Sequence, residues 1–368
     1  MPVYVWQYLK EYEAEKQEIL DAVETVFSSG RLILSASVES FEKEFAAYCG
    51  VRHGVGVDNG TNAITLALRA IGVKPGDEVI TVSNTAVPTV SAIVTLGAEP
   101  RFVDIDPDTY LMDTGLLESA ITSRTSCILP VHLYGQCVDM DPLRQVAEKH
   151  GLTVMEDCAQ AHGAEYKGKK AGAMSDASSF SFYPTKLLGT YGDGGMVLSD
   201  LDQVRDSLLK QRFYGMEKTY FALEHGYNSR LDEVHAEILR RKLTHLDEYI
   251  QRRRELAARY DEELRDSGLV LPKTGPGNKH AYYLYVARHP KRDDIIEELK
   301  KREIFVNISY PWPIHTMPPY CGFGSREGDL PHTEAAAKEI FSLPMYPTLA
   351  DGEQEQAIEA LKDILSGL

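Results

Sequence analysis

Two side chains in this 368-residue sequence stand where a parallel sheet presents groups to a ligand. Lys186 follows Ala177 to Tyr183, a run of small and aromatic residues that reads as a buried strand. Pro184-Thr185 turns the chain just before the lysine. Gly189, Gly192, Gly194 and Gly195 follow and let backbone come close to whatever the lysine carries. A lysine against an apolar wall loses its proton more readily than one in water, and the neutral amine attacks carbonyls to give a Schiff base. Asp157 ends a second hydrophobic run that starts at Leu152. Ligands of parallel sheets bind at the carboxyl ends of strands, so both groups are expected to face one cavity. Alone, Lys186 would read as a solvated residue in a glycine loop, since lysine is mostly exposed. The pairing with Asp157 is what points to chemistry.

An amine for an aldehyde and a carboxylate for a pyridinium nitrogen are the two groups that pyridoxal 5′-phosphate needs. A third stretch fits the same group. Asn59-Gly60-Thr61-Asn62 follows the short apolar run at Val55 and opens an apolar helix expected over 63–71. Free backbone N–H groups, the positive end of the helix dipole and the Thr61 hydroxyl converge there, which suits a phosphate. Plain capping by Asn59 or Thr61 explains the stretch equally well in isolation. A phosphate-bearing cofactor held by Lys186 and Asp157 tips the balance toward anion binding.

The elements that must position these groups alternate. Strands are expected at 78–82, 101–105, 127–132 and 152–157, and helices at 89–96, 116–121 and 142–150. Such βαβ alternation predicts a mostly parallel sheet with helices on both faces. Two closely spaced strands, 179–183 and 195–199, are expected to be partly antiparallel. Helices are expected over 11–28, around Phe41 to Tyr48, and over 200–212, and 213–228 reads as a loop. One long amphipathic helix is expected over 231–266. A smaller α/β unit follows, with strands at 281–288 and 304–310 and helices at 293–302, 332–340 and 351–366. The division predicted is 1–245 for a large cofactor-binding domain and 246–368 for a small C-terminal domain, with the N-terminal segment placed on the small one.

Composition narrows the field. The chain holds 39 lysines and arginines against 55 acids, a net charge of −16, which repels nucleic acid and anionic membranes. The five cysteines, Cys49, Cys127, Cys137, Cys158 and Cys321, include no CxxC pair, so neither a zinc site nor a disulfide frame is expected and no metal is invoked. Without a signal peptide or a membrane-spanning run, the expected location is cytoplasmic.

In order and spacing, Asn59-Gly60-Thr61, Glu156 to Ala164 and Ser181 to Lys186 resemble the DegT/DnrJ/StrS sugar aminotransferases, of aspartate aminotransferase fold type I. Gly76 to Ile80, Pro130 to Gln136 and Asn228-Ser229-Arg230 support the likeness, which covers nearly the whole chain. Val3 to Leu9 and Asn307 to His315 look like the DnrJ branch. The resemblance implies that Lys186 is catalytic and that Gly60, Thr61, Asp157, Ala159, Gln160, Ser181 and Asn228 bind the cofactor. Asn228 would reach it from the second subunit of a homodimer with shared active sites. The implied reaction moves an amino group from an amino acid, glutamate first, to C3 of a nucleotide-linked ketodeoxyhexose, dTDP first, as in antibiotic aminosugars. Pyridoxamine 5′-phosphate is the intermediate form. Tyr183, Tyr310 and His315 lie in segments that reach the sugar, and Lys218 and Arg230 are further basic candidates. The alternatives are amination at C4 or of a keto-cyclitol, and a non-catalytic sugar-nucleotide sensor. Sugar dehydratases on this fold replace the lysine by histidine, so Lys186 weighs against that chemistry. One departure stands out: many relatives carry an aromatic residue after the threonine matching Thr85, and here Ala86 and Val87 follow.

Overall fold

In a computed structural model that describes residues 2–367, seven strands form the central sheet. Their spatial order is His53–Val57, Gly195–Ser199, Ala177–Ser181, Thr153–Asp157, Thr125–Ile128, Glu78–Val82 and Glu99–Val103. Gly195–Ser199 is antiparallel to both of its neighbours. The remaining pairings are parallel. The sheet is thus the mostly parallel one that βαβ alternation requires, with one reversed strand inserted. Helices cover both faces, which is why its inner strands are largely apolar, such as Gly-Met-Val-Leu-Ser and Glu-Val-Ile-Thr-Val, and buried along their length.

A second hydrophobic core sits in the C-terminal part, built on Leu256, Tyr260, Tyr285, Leu299, Phe341, Ile358 and Leu361. Val3 belongs to it, because Val3–Tyr4 pairs in parallel with Ile304–Phe305. Among the described residues no helix is long and apolar enough to cross a membrane.

Five expectations change. The single helix over 231–266 is two, Glu233–Leu243 and Leu246–Glu263. Thr244 causes the break: its hydroxyl donates to the Arg241 carbonyl at 2.7 Å, and its N–H turns to the same oxygen, tightening the turn to three residues. The strand over 281–288 shortens to Tyr285–Arg288. Its first half is used elsewhere, with the Ala281 N–H on the Gly135 carbonyl at 2.8 Å. The strand over 304–310 shortens to Ile304–Phe305, and Ile340–Leu343, which begins where the 332–340 helix was expected to end, is a buried strand against Tyr285–Arg288. The 213–228 loop contains a short hairpin, Met216–Lys218 with Phe221–Ala222.

Candidate active site

The carboxyl ends of the strands surround one cleft of about 300 Å³. It is lined by Gly60, Thr61, Asp157, Ala159, Gln160, Ser181, Tyr183 and Lys186, so eight of the residues singled out in the sequence come together. Asn228 is exposed and lies outside the cleft of its own chain. Tyr310 touches the cleft indirectly, its hydroxyl accepting from Gln160 Nε2 at 2.6 Å. His315 is elsewhere. It is fully buried between Ser83, whose Oγ lies 2.8 Å from its Nδ1, and Glu334, 3.2 Å from its Nε2. That is a packing position joining the 311–330 segment to the sheet, not a position facing the cleft. Lys218 and Arg230 do not line it either.

Asp157 is the last residue of its strand and is buried. Its Oδ2 accepts from the Thr89 hydroxyl at 2.8 Å and its Oδ1 from the Ala159 N–H at 3.1 Å. Burial pushes its carboxyl up; those two donors and the nearby Lys186 charge pull it back. Each oxygen has one protein partner and so keeps acceptor capacity toward the cleft. Thr89 is a residue that sequence reading missed. Its only signal is the Thr85-to-Thr89 spacing of one helical turn, which brings the two hydroxyls to 2.9 Å.

Behind Asp157 lies a rigid frame. The fully buried Glu156 accepts from the N–H groups of Gly172 and Met174 at 2.8 and 2.9 Å and from the Ser175 hydroxyl at 2.6 Å. His132 accepts the Val138 N–H on Nδ1 at 3.1 Å, so Nε2 carries the proton it gives to Glu156, 2.9 Å away. Burial alone would raise the Glu156 carboxyl; these donors hold it below the usual range. Cys158 lies close to His132 and Glu156, but the carboxylate is already satisfied by these donors.

At the other end of the cleft, Asn59 caps the helix Gly60–Ala70 by accepting from the Asn62 N–H at 2.8 Å. Capping and anion binding are therefore not rivals here: Asn59 takes one N–H, and the turn at Gly60-Thr61 still lines the cleft. A Cβ at position 60 would stand 2.6 Å from Ser181 Cβ, so only glycine lets the helix start and the strand end meet. Lys186 is half-buried, its Nζ 4.8 Å from the centre of the Tyr283 ring. The place of the missing aromatic is bounded by aliphatic groups, with Ala86, Pro88 and Val131 in the lining.

The cleft fits pyridoxal phosphate on its donor set: an amine, a buried carboxylate with open lone pairs, and a glycine-shaped cradle of N–H and hydroxyl groups at a helix start.

A family model for DegT/DnrJ/EryC1/StrS aminotransferases matches residues 13–362. The chain is 57% identical, over all of both chains, to a dTDP-3-amino-3,4,6-trideoxy-alpha-D-glucose transaminase of Micromonospora megalomicea subsp. nigra. It superposes on DesV of S. venezuelae, solved in complex with a ketimine intermediate, with a TM-score of 0.97 and 42% identity over 99% of this chain and 98% of that one. NtdA from Bacillus subtilis, with bound cofactor PMP, gives a TM-score of 0.89 at 30% identity over 96% and 82%.

Proposed function

Because the chain belongs to the DegT/DnrJ/EryC1/StrS aminotransferase family and is a pyridoxal-phosphate-dependent sugar aminotransferase, we propose that it transfers nitrogen from an amino acid, glutamate first, to C3 of a dTDP-linked 3-keto deoxyhexose. The observation that carries the reading is the convergence of Lys186, Asp157 and the Gly60-Thr61 turn on one cleft. The C3 and dTDP assignments rest on the name of the 57% identical relative, a dTDP-3-amino-3,4,6-trideoxy-alpha-D-glucose transaminase.

Bound pyridoxal phosphate supplies an aldehyde that captures amino groups and a protonated ring that takes up electrons when the donor α-proton leaves. Lys186 Nζ removes that proton from the donor and returns a proton in the second half-reaction. Asp157 would hold the proton on the ring nitrogen, and that positive charge would be the partner its buried carboxylate needs. Gln160 is oriented by the Tyr134 N–H, which donates to Oε1 at 2.9 Å, so Nε2, which gives one hydrogen to the Tyr310 hydroxyl, would offer its second to the ring hydroxyl. Ala159, being small, would leave room beneath the ring, and Gly60, Thr61 and Ser181 would hold the phosphate. Tyr183, half-exposed at the rim, and Tyr310 meet the sugar. Asn228, outside its own cleft, completes a partner's site in a homodimer, which sedimentation would test. A second core supports a smaller unit within 246–368, with the Val3–Tyr4 strand joined to it, while Leu246, Ile250, Ala281, Val286, Ala336 and Ile340 pack into the first core and tie the two units of the proposed 1–245 and 246–368 division together.

The test is incubation of the purified holoenzyme with glutamate and either the 3-keto or the 4-keto dTDP-sugar, with products identified by NMR. A C3 amine from the 3-keto sugar is expected. Product only from the 4-keto sugar overturns the C3 assignment, and no bleaching of the cofactor by any amino acid overturns catalysis.

A further inference from the structure

A second cavity, of about 330 Å³, adjoins the cleft and is lined by Trp6, Thr185, Arg253, Tyr283, Asn307 and Tyr310, among others. The two linings share no residue, but their walls touch. Thr185 precedes Lys186, and its hydroxyl lies 3.1 Å from the Tyr283 hydroxyl. The Tyr283 ring faces Lys186 Nζ, and Tyr310 accepts from Gln160.

Arg253 is the one cation in this lining, and it is 3% exposed. Its Nη1 donates to the carbonyls of Tyr282 and Tyr283 at 3.2 Å and of Met345 at 2.8 Å. Its Nε is buried without a partner. Among the described residues it forms no ion pair. Glu11 acts on its charge from across a small void that Arg253 and Lys186 both border, without contact. Burial pulls the guanidinium down to about 10, the direction of a cation short of a counter-charge. A buried guanidinium with open donors gains most from a planar carboxylate, which it can bind bidentately.

We propose that this cavity is the subsite for the side-chain carboxylate of a dicarboxylic amino donor, with Arg253 as its anchor. The proposal rests on the aminotransferase reading of the adjoining cleft. The donor's α-carbon must come to Lys186 Nζ, and Arg253 stands behind the same lysine. The distal carboxylate of glutamate points past the Tyr283 edge to it, while Thr185 and Asn307 offer further donors. A donor without that carboxylate leaves the guanidinium unpaired, so the subsite selects the donor as well as binding it.

Glutarate, which has both carboxylates and no amino group, tests this without turnover. It is titrated into the holoenzyme by calorimetry and by Trp6 fluorescence in a Trp312→Phe background, these being the two tryptophans of the chain. Glutarate is expected to bind in competition with glutamate, and Arg253→Gln to weaken it roughly tenfold or more. Butyrate, with one carboxylate, should be little affected. Asn307→Asp, at an exposed residue, places a negative charge in the cavity and should weaken glutarate even if the arginine variant does not fold. Equal glutarate affinity in the wild type and Asn307→Asp, or equal losses for glutarate and butyrate in Arg253→Gln, overturns the subsite. Failure of the wild type to accept nitrogen from any amino acid overturns the aminotransferase reading instead.

Discussion

Replacing Gly60 by alanine tests whether the phosphate cradle is built on close backbone approach. The new methyl would stand 2.6 Å from Ser181 Cβ and 3.0 Å from Ser181 Oγ. Carbon atoms rest about 3.5–4.0 Å apart, so the helix start and the strand end must separate by roughly 1 Å. The helix cannot retreat freely. A Cβ at Gly195 would lie 2.5 Å from the Asn59 carbonyl oxygen, so the backbone on that side is already in contact, and Asn59 is tied to the Asn62 N–H. Overpacking of this kind costs about 1–3 kcal/mol of stability. Moving the cradle's donors away from the phosphate costs about 1.5–3 kcal/mol more in binding, as for hydrogen bonds to charged groups. Cofactor affinity should therefore fall by roughly tenfold to a hundredfold, measured by absorbance titration of apoprotein alongside thermal unfolding. Adding Ser181→Gly removes the struck atoms and should recover much of the unfolding loss, a coupling that a double-mutant cycle reads directly. Gly60→Ala binding cofactor as tightly as wild type would refute the reasoning.

Asp157→Asn removes the charge proposed to keep the ring nitrogen protonated, and should lower turnover by roughly a hundredfold or more in single-turnover kinetics; unchanged rates would mean the carboxylate does not face the ring. Glu156→Gln should cost about 2–4 kcal/mol at neutral pH. Because the folded carboxyl is held below its unfolded value, that stability is present above the unfolded pKa and is lost as pH falls through the folded one. The variant's acid limb in denaturant titrations should accordingly be flatter than wild type. His315→Leu breaks the link between Ser83 and Glu334 and should lower stability by about 1–3 kcal/mol. Its KM for the sugar nucleotide should stay within a factor of about two, whereas a large KM change would place the imidazole against substrate after all.

The sequence carried the sheet well, because its strands are short apolar runs separated by helices at regular spacing, and strand ends are where acids and lysines become conspicuous. The residues it hid are those whose partners are distant in sequence. Thr89 gains meaning only once Asp157 lies over it, and Arg253 reads as one of several charges on an amphipathic helix until three carbonyls and a cavity surround it. His315 misled for the opposite reason: a histidine in a Pro/Trp loop looks available, but Phe102, Ser83 and Glu334 enclose it. Ile340–Leu343 escaped because a four-residue apolar run beside a helix has no period of its own.

The Val3–Tyr4 strand has a practical consequence. It closes the edge at Ile304–Phe305 and contributes Val3 to the C-terminal core, while the helix that follows it, Tyr8–Ser29, rests on Glu233–Leu243. A fragment cut at residue 246 would start life with a raw edge and a hole where that valine belongs. Anyone wishing to isolate the C-terminal unit should splice the opening strand back onto it, and affinity handles belong elsewhere than against Val3.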